Sequence, residues 1–106
     1  MRSAVTFRAF RGTRRSAVYR EHELPAAAFA RLRRVAEREG MPMLTSLGAE
    51  PGVELDRGAA RRLAAEISQI RTQALLLDLD DELTAVAEVA NWCARAGGSS
   101  WLRVGG

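Results

Sequence analysis

The sequence predicts an α+β fold. A small two-layer domain is expected, its N-terminal β-hairpin and C-terminal strand joined in a mainly antiparallel sheet covered by about three helices, in the order β-β-α-(β)-α-α-β. Three observations predict it. Residues 4–10, AVTFRAF, and 16–21, SAVYRE, alternate apolar with polar side chains and are rich in β-branched and aromatic types. Residues 56–96 instead carry apolar side chains three and four apart. After Gly97-Gly98-Ser99-Ser100, the stretch Trp101–Val104 returns to strand composition.

Each element has its own reason. In the first strand Val5, Phe7 and Ala9 share one face and Thr6, Arg8 and Phe10 the other. RGTRR, with one glycine and three arginines, reads as the hairpin loop. Leu24-Pro25 opens a helix, because proline is tolerated where the backbone N–H has no helical partner. Phe29, Leu32, Val35 and Ala36 form its apolar stripe, and Gly40 ends it with Met41 as the following contact. The segment 41–55 is broken by two prolines and two glycines; Met43–Leu47 and Val53–Leu55 are read as short strand pieces. Asp56 is placed to cap the next helix, whose buried face is Ala60, Leu63, Ala64, Ile67, Ile70 and Ala74, with Glu66 on the polar side. A third helix, about 80–96, buries a wide arc of Leu83, Val86, Ala87, Val89, Ala90 and Cys93. No repeat or linker divides the 106 residues, so residues 1–106 are read as one domain: a basic hairpin over 1–23, a mainly helical body over 24–96 and a final strand over 101–104.

Composition narrows the class. The chain is 47% apolar and 27% charged, an ordinary globular balance. One cysteine excludes an intramolecular disulfide and fits a reducing compartment, so a cytoplasmic protein is expected. No apolar run reaches membrane-spanning length. The Arg-rich start resembles neither a signal peptide nor, given the charged SAVYREHEL that follows Thr13-Arg14-Arg15-Ser16, a twin-arginine signal. All sixteen basic residues are arginine, which with the many Ala and Gly residues suits a GC-rich bacterial genome. Residues 1–20 hold six arginines and no acid, whereas 21–106 hold ten arginines and thirteen acids. A basic hairpin is thus attached to a mildly acidic body.

Few residues suggest chemistry. Asp78, Asp80, Asp81 and Glu82 in LLDLDDEL form the densest carboxylate cluster, but the glycine an EF-hand loop needs is replaced by Leu83. They are read as caps and first-turn acids of the third helix. His22, the sole histidine, lies between Glu21 and Glu23, which on a strand point to the other face. It has no nucleophile or metal-ligand spacing beside it and is read as a surface residue. Cys93 falls on an apolar stripe near a helix C-terminus, the wrong end of the dipole to lower a thiol pKa. The GxGxxG, Walker, HExxH, paired CxxC and GxSxG motifs are missing, and no cofactor, metal or catalytic residue is assigned.

The ending SSWLRVGG resembles the tails of ubiquitin and of the bacterial sulfur-carrier proteins, where an extended arm ends in Gly-Gly. That resemblance implies activation at Gly106, with Gly105 its neighbour and Arg103 a recognition residue. It covers about six residues, and residues 56–96 read as helices where a β-grasp fold would continue mainly with strands. Trp101 is expected in the core, leaving Gly105 and Gly106 loose. A last strand is the preferred reading.

The expectation is a non-catalytic interaction module, of the immunity, antitoxin, accessory-subunit or phage-defence kind. Its partner-binding residues are Arg8, Arg11, Arg14, Arg15 and Arg20 for an acidic protein surface, with Trp92 and Trp101 for an apolar contact. The alternative is nucleic-acid binding by the hairpin arginines, with Phe7, Phe10 and Tyr19 for stacking. No membrane is expected, and a homo-oligomer stays compatible with the sequence.

Overall fold

A computed structural model of the protein describes residues 4–11, 18–47, 52–96 and 99–105, with the backbone alone at Val18 and Tyr19. Its elements are β1 (Ala4–Phe10), β2 (Val18–Pro25), α1 (Ala26–Glu39), α2 (Pro42–Ser46), β3 (Val53–Leu55), α3 (Arg57–Thr72), α4 (Asp80–Arg95) and β4 (Trp101–Gly105), with a single 3₁₀ turn at Leu77–Leu79 before α4. The four strands form one antiparallel sheet in the order β2-β1-β4-β3. The chain is therefore the expected small α+β domain.

The pleat sorts the side chains. Register places Ala9 opposite Leu102 and Phe7 opposite Val104. These four, with Leu24 and Leu55, are buried against the helices. α4 packs under β1 and β2, α3 under β3 and β4, and α1 reaches β1 and β2, where Phe29 meets Phe7 at a ring separation of 6.3 Å. Leu63, Ile67 and Ile70 of α3 are wholly buried, as are Leu83 and Val86 of α4. Each such side chain contributes about 1.5–3 kcal/mol on leaving water.

Helix ends follow local chemistry. Asp56 caps α3, its carboxylate accepting from the Ala59 N–H at 2.8 Å. Gly40, at φ 71°, closes α1: the Met41 N–H donates to the Ala36 carbonyl at 2.8 Å and the Gly40 N–H to that of Glu37 at 3.3 Å. Ala74 does the same after α3 at φ 56°, with Leu75 N–H to Ile70 and Ala74 N–H to Arg71, each at 3.1 Å. It lies past the helix end, exposed, and does not extend the buried stripe as expected.

Three boundaries differ from the sequence reading. Pro25 ends β2 and stands at the N-cap of α1, one residue before the first helical turn. The C-terminal strand reaches Gly105, which lies opposite Thr6 rather than loose. Met43–Leu47 is not a strand: Pro42–Ser46 is the helix α2. Its N-cap, Met41, has no side-chain acceptor. Glu66 of α3 supplies one instead, accepting from the N–H groups of Met43 at 2.9 Å and Leu44 at 2.7 Å. A carboxylate from a distant helix thus satisfies the donors that a capping residue would take.

Candidate functional site

Two surfaces collect the residues singled out by sequence. The first is the sheet face turned away from the helices. Across its four strands runs a row of charges, Glu21, Arg8, Arg103 and Glu54, set side by side by the register. Arg8 Nε donates to Glu21 at 3.1 Å and Arg103 Nη1 to Glu54 at 3.4 Å. Arg103 also lies over Gly52, which holds φ 74° and where any Cβ would collide with the guanidinium. Next to this row Phe10 and Trp101 stack at 4.4 Å, their planes 14° apart. Phe10 is only 5% exposed, so its ring is not presented for base stacking. With Glu23, the described residues of this face carry three acids against two arginines.

The second surface lies where the edge strand β2 meets the C-terminal half of α4. Pairing of Arg20 with Ala9 turns Arg20 to the helical side of the sheet. On α4, Asn91 and Trp92 each lie three or four residues from both Glu88 and Arg95, which places the four on one face. Together with Arg20 they line a groove of about 310 Å³. Arg20 and Trp92 each already hold an interaction within the protein. Trp92 is half-buried against the core and gives the groove an apolar side chain in company with two arginines. Farther along the same junction His22 meets Glu82 at 2.6 Å, so the histidine is tied to α4 and only partly exposed.

The acidic cluster divides among partners on three elements. Asp78 receives two hydrogen bonds from Arg31 of α1, at 2.6 and 3.0 Å. That guanidinium holds the Asp78 carboxyl below the usual carboxylate range. Asp80 accepts from Arg71 Nε of α3 at 3.0 Å, and Glu82 meets His22 of β2. The expected capping bond is not formed, since Leu79 holds the N-cap of α4; Asp80, Asp81 and Glu82 do occupy the first turn, where the helix dipole favours them. Their main work is to tie α4 to its neighbours. No group of acids, His and Cys suited to a metal occurs among the described residues. Cys93 is fully buried, and burial pushes its thiol up to about 11.

The structure thus brings Arg20 and Trp92 together, joins Arg8 to Glu21 and stacks Trp101 on Phe10. Arg11 is exposed beyond β1. Arg14, Arg15 and Gly106, named for partner binding and conjugation, lie outside the described residues, and Gly105 is held in β4. Arg95 and Asn91 were missed; spacing relative to Trp92 could have found them, once the face of α4 that meets β2 was known.

No protein-family model matches the chain, and no curated protein or solved structure is significantly similar to it.

Proposed function

We propose that the protein is a non-catalytic interaction module that binds an acidic protein partner at the groove between β2 and α4. The observation that carries this reading is the convergence of Arg20, Trp92 and Arg95 on one concavity, with Glu88 the only acid lining it among the described residues. An aromatic side chain and two guanidinium groups in one groove suit a protein partner, because such side chains are enriched at interfaces and select carboxylates. The three acids on the open sheet face disfavour a nucleic acid there. Among the described residues no helix is long and apolar enough to cross a membrane, in keeping with a membrane-independent role. Within this reading the protein acts in the cytoplasm of a GC-rich bacterium, as an immunity protein, antitoxin, accessory subunit or phage-defence component.

The test is affinity capture from native cells with N-terminally tagged wild type and the double variant Arg20→Glu, Arg95→Glu, both checked for folding. A stoichiometric protein retained by wild type and lost by the charge reversal is the expected result. Capture indifferent to the reversal, or an eluate whose absorbance is dominated by nucleic acid, overturns the proposal.

A further inference from the structure

We infer that the partner enters as an extended segment that adds to the outer edge of β2 and makes the sheet five-stranded. This rests on the acidic-partner reading of the groove and specifies how that partner is held.

Among the described strands β2 pairs with β1 alone, and at eight residues it is the longest in the sheet. β2 packs on α4 and shares the groove through Arg20, so a strand added at that edge would have backbone partners on one side and the groove with Trp92 and Arg95 near its Arg20 end. This is the geometry of β-strand addition, where main-chain hydrogen bonds supply affinity and alternate side chains supply choice.

The two faces of β2 ask for opposite charges. On the helical side His22 is tied to Glu82, and Arg20 and Arg95 outnumber Glu88 along the groove. On the open side Glu21 and Glu23 outnumber Arg8, which pairs with Glu21. A complementary strand therefore places carboxylates toward Arg20 and Arg95 and basic side chains over Glu21 and Glu23.

The same charges turn away a second copy of this chain. Antiparallel pairing of β2 with itself about a two-fold axis keeps each residue on its own face, so the axis must pass through a residue. Centred on His22 it sets Glu21 opposite Glu23; centred on Arg20, Glu21 or Glu23 it sets that charge opposite itself; a centre nearer either end pairs three residues of β2 or fewer. Like charges directly opposite destabilise a pair of strands. The occupant is therefore a segment of another protein.

The probes are two end-blocked synthetic octapeptides of identical composition and no net charge. One alternates Glu with Arg, so that in a strand its carboxylates share one face; the other carries the same residues as Glu-Glu and Arg-Arg pairs, which mix both charges on each face. Binding to the full chain is read by fluorescence anisotropy and by amide hydrogen exchange across β2. The expected result is roughly tenfold tighter binding of the alternating peptide, slowed exchange in β2, and loss of both on methylating alternate peptide nitrogens of the probe. Equal affinities, no binding of either peptide at millimolar concentration, or binding without protection of β2 overturns the inference. So does a concentration-dependent dimer of the chain that protects β2. If the captured partner depends on Arg20 and Arg95 but leaves β2 amides exchanging freely, strand addition alone fails and the groove reading stands.

Discussion

Replacing Glu66 tests whether α2 owes its existence to a tertiary contact. The carboxylate accepts from the Met43 and Leu44 N–H groups at 2.9 and 2.7 Å, in a partly buried setting. Hydrogen bonds to a charged group contribute about 1.5–3 kcal/mol each, and removing an ordinary N-cap costs about 0.5–2 kcal/mol. The second figure is the better guide where water can reach the freed donors, so Glu66→Ala is expected to cost about 2 kcal/mol. For a domain of this size that lowers Tm by roughly 8–16 °C. Glu66→Gln keeps one acceptor oxygen without the charge and is expected to lose about half as much. Gln69→Ala, exposed on the same helix, is the control and should stay within about 0.5 kcal/mol of wild type. Urea denaturation followed by tryptophan fluorescence and far-ultraviolet circular dichroism measures all three. An Ala variant as stable as the Gln69 control would show that α2 stands without its distant cap and would refute the reasoning.

Ala74→Gly is expected to stabilise by about 0.5–1 kcal/mol, because glycine escapes the left-handed penalty at φ 56° while loosening the unfolded chain by somewhat less; a lower urea midpoint would contradict this. The Cys93 thiol keeps its proton up to about pH 11 in the folded state, whereas in the unfolded chain it ionises from about pH 9. Stability should therefore fall as pH rises through that window, and Cys93→Ala should lack this part of the fall. Native protein should also resist iodoacetamide until urea unfolds it; rapid native alkylation would show that Cys93 is accessible.

The pair of helices α3 and α4, the hairpin, the final strand and the two faces of β1 were legible in the sequence, because periodicity and capping are local properties of the chain. Asp56 and Gly40 could be read for the same reason: each acts on backbone groups a few residues away. Acidic residues were harder. Glu66 looked like solvent-face polarity and LLDLDDEL like a capped helix start, since nothing local shows that Glu66 reaches Met43 and Leu44 or that Asp78 reaches Arg31. Those contacts span more than twenty residues of chain and exist only once the helices are packed.

The candidate site divides the same way. Sequence alone determined that Arg20 sits on a strand and that Cys93 falls on the apolar stripe of a helix. Tertiary structure decided that β2 is an edge, that α4 lies beside it and that Arg20, Trp92 and Arg95 share one groove. The physical reason is range: side-chain periodicity fixes which face of an element is buried, but sheet order and helix placement depend on packing between elements distant in sequence.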